Sequence, residues 1–175
     1  MYASRAQLGG GVVLSQIHEL DYVYWLFGMP TRVFAIGGHL TRLDVDVEDT
    51  ASILLECLVD GRAIPVHVHQ DFIQRPPSRT CEVIGDDGKI HVDLRQNTVT
   101  VFDGEGNTTE SSAFPELQRN QLFLEEMRHF LACLEGRETP GVSVRDGARS
   151  LTIALAAKQS LETGHVIDMA TQSFG

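Results

Sequence analysis

The sequence predicts an α+β fold: one mostly antiparallel sheet of about six strands, with helices packed on one face. Three observations carry this expectation. Apolar residues recur at helical spacing near the start of the chain and twice in its last third. Between them, segments of alternating polarity are divided by short turns rich in glycine, asparagine and aspartate, as hairpin-joined neighbours require. The order of one helix, about six strands and two helices differs from the strand–helix alternation of a parallel sheet. At 175 residues, 42% hydrophobic and 22% charged, the whole chain, 1–175, fits a single domain with a sizeable core.

The first helix is expected within GGGVVLSQIHELDYVYWLFG, residues 9–28. A glycine run opens it, and Gly28 followed by Pro30 closes it. Val13, Ile17, Leu20, Tyr24 and Phe27 form one stripe for burial. Ser15, His18, Glu19 and Tyr22 fall on another side, with Ser15 and His18 close neighbours three residues apart. On spacing alone, a helical histidine is more often solvated or structurally hydrogen-bonded than catalytic.

Residues 31–42 read as a strand bent or bulged at Gly37-Gly38, and 44–49 as an acidic turn. Residues 49–59 form a strong strand, with Ala51, Ile53, Leu55 and Cys57 on one face and Leu54 and Leu58 on the other. Asp60-Gly61 signals a hairpin, and 62–72 returns with Ile64, Val66, Val68 and Phe72 on one side and Pro65, His67, His69 and Asp71 on the other. His67 and His69 could share a metal, since alternate strand residues face the same way. No third ligand is evident, and a histidine-bearing sheet face suits contact with another subunit better.

Residues 74–79 are a proline-stiffened connection: either a solvated loop, or a segment whose Arg75 or Arg79 reaches an anionic part of a substrate. Strands at 80–84, 89–94 and 98–102 complete a meander, and the polar, aperiodic residues 104–112 are expected to be mobile. Pro115 suits a helix's first turn, ahead of the stripe Phe123, Met127, Phe130, Leu131 and Leu134. Ser143 to Asp146 has the form of a capping box. The helix it starts runs to Gly164 and is expected to bury Ala148, Leu151, Leu155 and Ala156, before a short edge strand at 166–169.

A net charge of −10 argues against nucleic acid or an anionic membrane surface as partner. No apolar run approaches the roughly 18 residues of a membrane span, and no leader pattern opens the chain. Cys57, Cys81 and Cys133, widely spaced among apolar neighbours, read as buried thiols in a reducing cytoplasm rather than disulfides or a zinc site.

Gly9-Gly10-Gly11, His18-Glu19-Leu20-Asp21 and Trp25-Leu26-Phe27-Gly28 together resemble the glucose–fructose oxidoreductase, inositol dehydrogenase and rhizopine-catabolism (Gfo/Idh/MocA) family. The resemblance extends through Tyr2-Ala3-Ser4-Arg5, the run 74–79 with Gly85 and Gly88, and Val144-Arg145-Asp146-Gly147, nearly the whole chain. It implies that the triple glycine opens the helix facing the nicotinamide and that His18 matches the family histidine acting on the substrate hydroxyl. The family's aspartate position, four residues after the last glycine, is Ser15 here. Family members begin with a nucleotide-binding domain bearing a glycine-rich strand–turn–helix and a Glu-Lys-Pro lysine that shares the acid–base work. This sequence contains neither, and Gly104-Glu105-Gly106 reads as a turn. The implied protein is therefore the substrate and oligomerisation domain of a two-domain dehydrogenase, without its cofactor half and even its first strand.

Removing hydride from a carbinol carbon needs a base for the hydroxyl proton, and a neutral imidazole suits that task at cellular pH. His18 is the candidate base, Ser15 a hydroxyl ligand one turn earlier, and Asp21 either a carboxylate that steadies the imidazole or a surface or helix-contact group. Expected substrates are sugars, sugar derivatives or cyclitols. NAD or NADP would be bound mainly by the absent domain, with no cofactor expected for this chain alone, and a homo-oligomer would form through the open sheet face. The competing classes are a binding or regulatory module that has lost catalysis, which Ser15 keeps open, and a pure dimerisation module.

Overall fold

The computed structural model describes residues 2–171. The chain forms two compact units, Met1–Ile73 with Val142–Gly175, and Gln74–Gly141. The α+β class and antiparallel pairing are as expected, but eight strands fall into two four-stranded sheets, one per unit, rather than one sheet of about six.

In the first unit the strands β1 (Arg32–Gly38), β2 (Thr50–Val59), β3 (Arg62–Asp71) and β8 (Ile167–Asp168) are ordered β3-β2-β1-β8. Alternation along β2 turns Ala51, Ile53, Leu55 and Cys57 into the core, opposite Val33 and Ala35 of β1 and Val66 and Val68 of β3. Each large aliphatic side chain so buried contributes about 1.5–3 kcal/mol. Asp60 and Gly61 both adopt left-handed backbone (φ 49° and 76°), the hairpin turn that follows the sheet's twist. The bulge expected at Gly37-Gly38 does not appear, since β1 pairs with β2 in unbroken register to Gly38; Gly37 is required instead by close approach, as a Cβ there would lie 2.1 Å from the Thr50 carbonyl oxygen.

The helix α4 (Val144–Thr163) opens on the expected capping box, Ser143 with Asp146. It lies on the sheet through Ser150, Ile153, Ala154, Ala156, Ala157 and Ser160. Ala156 is buried as expected, whereas Ala148, Leu151 and Leu155 remain exposed. Small side chains let the helix approach closely, and two serines tolerate burial because their hydroxyls are hydrogen-bonded. Ser160 Oγ accepts from the Ala35 amide (2.9 Å) and donates to the His165 carbonyl (2.6 Å).

The expected first helix is broken into α1 (Val12–Ser15) and α2 (His18–Phe27). Gln16 leaves helical geometry (φ −113°, ψ 32°). Its backbone carbonyl accepts from Gln70 Nε2 (2.7 Å), and its side-chain Nε2 donates to the Asp71 carbonyl (3.1 Å), so the end of β3 holds the corner open. Val12, Val13, Leu20 and Val23 are buried, and Ile17, Tyr24 and Phe27 pack half-buried against the same core.

The second unit is a meander, β4 (Thr80–Gly85), β5 (Gly88–Asp93), β6 (Thr98–Asp103) and β7 (Thr108–Ala113), in that order. The stretch expected to be mobile contains β7. The Asp103 carboxylate accepts the Glu105 and Asn107 amides (3.0 and 2.8 Å), and Gly106 turns at φ 87°. Thr and Ser then pair as a polar edge strand, which apolar alternation cannot reveal. The helix α3 (Arg119–Leu134) starts four residues after Pro115, and Phe123, Met127, Phe130, Leu131 and Leu134 stay exposed along it.

Candidate active site

The helical corner of the first unit holds three of the five residues singled out in the sequence. Its entrance explains the glycines. At Gly10 a Cβ would come within 2.7 Å of the Tyr2, Ala3 and Arg5 carbonyl oxygens. At Gly11 (φ 111°) it would come within 2.2 Å of Glu48 Oε1. Glu48 sits over the start of α1. Its carbonyl accepts from Val12 N (2.9 Å), its Oε1 from Val13 N (3.4 Å), and its Oε2 from Lys158 Nζ of α4 (2.8 Å). The amides of the run are thus spent on this chain's own oxygens, since Gly10 and Gly11 donate to the Arg5 and Ala3 carbonyls.

Glu48 is placed by Asp49, which ends the acidic turn and is fully buried. Burial pushes the Asp49 carboxyl up, but hydrogen bonds from the Thr41 hydroxyl, the Leu40 and Thr41 amides and the Thr50 hydroxyl outweigh it. The group is held below the usual carboxylate range.

Ser15 closes α1 with its hydroxyl buried and without a hydrogen-bond partner among the described residues, as is Gln70 Oε1. His18 opens α2 with its side chain 45% exposed, Nε2 lying 3.1 Å from Glu19 Oε1. Asp21 faces the other way and accepts the Ser150 hydroxyl of α4. One turn on, the Tyr24 hydroxyl donates to Asp146 Oδ1 (3.3 Å) and accepts from Arg149, whose guanidinium lies 5.7 Å from the Tyr24 ring centroid. The carboxylate beside the imidazole is therefore Glu19, while Asp21 joins the contacts fastening α2 to α4.

Arg75 and Arg79 belong to the second unit, on the connection before β4. Arg75 is exposed, Arg79 is half-buried, and the Arg79 carbonyl accepts from Leu94 N (3.0 Å). On the outer sheet face of the first unit, His69 Nδ1 lies 3.1 Å from Ser52 Oγ and its Nε2 3.3 Å from Asp71 Oδ2. No group of three or more His, Cys, Asp or Glu side chains suited to a metal ion occurs among the described residues. No described helix is long and apolar enough to cross a membrane.

Glu48, Lys158, Gln70 and Ser150 are absent from the sequence reading. Gln70 alone carried a signal, because it continues the inward phase of Ile64, Val66 and Val68.

A sheet with helices on one face, entered through a glycine-opened corner that displays a histidine, makes this unit an α+β domain. The chain belongs to the oxidoreductase family, C-terminal alpha/beta domain, which it matches over residues 3–169. It is 30% identical over 170 residues to the myo-inositol 2-dehydrogenase of Thermotoga maritima, covering 89% of this chain and 48% of that protein. It is 27% identical over 167 residues to the scyllo-inositol 2-dehydrogenase (NAD(+)) of Bacillus subtilis, covering 92% of this chain and 48% of that protein. The chain thus spans about half the length of these curated relatives. An oxidoreductase from Agrobacterium radiobacter, solved in complex with NAD+, L-tartaric acid and magnesium, shares the fold. Its TM-score is 0.71 at 20% identity, over 97% of this chain and 52% of that one.

Proposed function

We propose that this chain is the substrate-binding and oligomerisation domain of an NAD(P)-dependent dehydrogenase acting on a hydroxyl of a sugar, sugar derivative or cyclitol. The observation that carries the reading is the exposed His18, backed by Glu19 on a glycine-opened corner, in a chain related to inositol dehydrogenases. The start of α1 is poorly suited to dinucleotide phosphates. The amides opening α1 are already bonded within the chain, and Glu48 places a negative charge over them. The hydride acceptor would accordingly be held by a separate nucleotide-binding half, and the residues here act on the alcohol.

With His18 Nε2 turned towards Glu19 Oε1 at 3.1 Å, Nδ1 is the nitrogen assigned to take the substrate's hydroxyl proton. Ser15 supplies a hydroxyl one turn earlier, and Asp21 keeps α2 fixed through Ser150. Arg75 and Arg79 are kept as ligands for an anionic substituent of the substrate. The outer sheet face carries exposed Ile36, Leu54 and Leu58 beside His67, an apolar surface suited to a second copy of the chain.

The test is His18→Ala in the polypeptide that carries both halves. Turnover should fall by on the order of a hundredfold or more, with dinucleotide affinity and melting temperature nearly unchanged, because His18 lies outside the core. Near-normal turnover would remove His18 from the chemistry. Ser15 at the family's aspartate position favours a second reading, a binding module without catalysis. For that reading, both-halves protein would bind polyol yet show no turnover with either dinucleotide.

A further inference from the structure

The last turn of α3 carries an arrangement that the dehydrogenase reading does not use. His129 and Cys133 are four residues apart and share a helix face, with Cys133 Sγ 3.6 Å from His129 Nε2. Beyond the helix, Gly136 turns at φ 71°, and the Arg137 and Glu138 amides return to the Ala132 carbonyl (2.9 and 3.3 Å). This wraps residues 136–141 around the imidazole. Glu138 Oε2 meets Nδ1, and the Gly141 amide meets Nε2 at 3.2 Å.

The Gly141 contact fixes the tautomer. A backbone N–H can only donate, so Nε2 bears the lone pair, and Nδ1 carries the proton and donates it to Glu138. Carboxylate, imidazole and thiol then stand in line, with the basic nitrogen turned to the sulfur, as in nucleophilic cysteine sites. A shared metal ion does not fit this arrangement, since Glu138 and Cys133 address opposite nitrogens of one ring. Acyl transfer does not fit either: it needs amide donors for an oxyanion, and the Gly141 amide points at the imidazole. The chemistry left is attack on a group that requires no oxyanion stabilisation.

We propose that Cys133 is a thiol–disulfide exchange site for low-molecular-weight disulfides, with His129 as proton acceptor and Glu138 as the residue that positions it. The Cys133 proton passes to His129 Nε2, displacing the Gly141 amide. The sulfur attacks one sulfur of the small disulfide, a new S–S bond forms and the old one breaks. The departing thiolate takes the proton from the imidazolium. Protein thiol and small disulfide become mixed disulfide and small thiol, with no external oxidant. The other two thiols are placed differently. Cys57 is fully buried, and burial, followed by the neighbouring Glu56 charge, pushes its thiol up. Cys81 is half-buried on β4.

The test uses the 175-residue chain and the neutral probe 4,4′-dithiodipyridine, following thiopyridone release and locating the labelled cysteine by peptide mass mapping. One fast phase mapping to Cys133 is expected, lost in Cys133→Ser. His129→Gln should slow it by about tenfold or more and leave the pH–rate profile of a simple thiol. Glu138→Gln, an exposed change that leaves the helix intact, should slow it less. A fast phase mapping to Cys81 overturns the proposal. So does a Cys133 rate that is unchanged in both His129→Gln and Glu138→Gln while circular dichroism shows the fold retained.

Discussion

Ser160→Ala isolates one hydroxyl that stands in for a missing strand. Among the described residues β8 pairs with β1 only at Arg32 and Val33, and no other described strand lies along that edge of β1 beyond them. The Ala35 amide, on a residue 2% exposed, donates to Ser160 Oγ instead. The hydroxyl's other bond ends on the carbonyl of exposed His165, which water can satisfy once the serine is gone. The loss is therefore mainly one buried donor left unpaired, about 1–3 kcal/mol. Against it, alanine is the better helix former by about half a kcal/mol. The net expectation is a destabilisation of about 0.5–2.5 kcal/mol. For a chain of this length that lowers the melting temperature by roughly 2–4 °C per kcal/mol. Urea unfolding by circular dichroism should show a lower midpoint with an unchanged slope. Thr163→Ala is the control, since that exposed hydroxyl donates to the Gln159 carbonyl of its own helix (2.8 Å) and accepts only the long contact of the exposed His165 amide (3.4 Å), which water can replace, and it should stay within about 0.5 kcal/mol of the parent. A neutral or stabilising Ser160→Ala would refute the reasoning, because propensity alone would then decide.

Gly11→Ala should destabilise far more than Gly9→Ala. Both glycines have positive φ, but a Cβ meets nothing within 4 Å at Gly9 and the Glu48 carboxylate at Gly11. Urea midpoints for the two variants and for Gly11→Ala combined with Glu48→Ala should reveal a coupling of about 0.5–3 kcal/mol. Glu56 is held at about 2 by hydrogen bonds from Arg32 and then Thr31, below its ordinary 4.5. A depressed folded-state value means its stabilisation is complete above about 4.5 and lost as pH falls towards about 2, so Glu56→Gln should flatten the acid limb of the melting curve over that window. Ser15→Ala should leave the chain as stable or slightly more so, because it deletes a buried hydroxyl that has no partner among the described residues. On the proposed dehydrogenase reading, the same change in the polypeptide carrying both halves should lower kcat/KM, and a loss of stability instead would show that Ser15 is a structural residue.

The sheet of the first unit was legible because one rule governs it. Alternation along β2, the left-handed turn at Asp60-Gly61 and the inward phase of β3 all follow from the period of two. Misreadings arose where polar side chains do the packing. The buried face of α4 was sought among its leucines, but Ser150 and Ser160 are buried because Asp21, Ala35 and His165 lie opposite them. β7 was hidden since Thr and Ser have no apolar phase, and the break at Gln16 depends on Gln70, 54 residues away along the chain. At the candidate site, His18 and Ser15 were visible through the family resemblance, since spacing alone leaves a helical histidine a surface residue. Glu48 was not, for nothing in an acidic turn marks which carboxylate will fold back over a helix start.

That placement of Glu48 changes how much the glycine run can prove. Gly10 and Gly11 are demanded by this chain's own atoms, the carbonyls of the first residues and one carboxylate. They would be retained in a domain that had lost every catalytic role. Asp21 is likewise accounted for by Ser150, as Lys158 is by Glu48. Packing leaves three polar groups without a structural assignment at this corner: the Ser15 hydroxyl and Gln70 Oε1, both buried with no partner among the described residues, and the His18 imidazole, exposed with Nε2 3.1 Å from Glu19 Oε1. An unpaired buried hydroxyl costs about 1–3 kcal/mol, a burden that alanine would remove in a purely structural domain. The case for chemistry at this corner therefore rests on Ser15 and His18, one turn apart, rather than on the glycines that first draw attention to it.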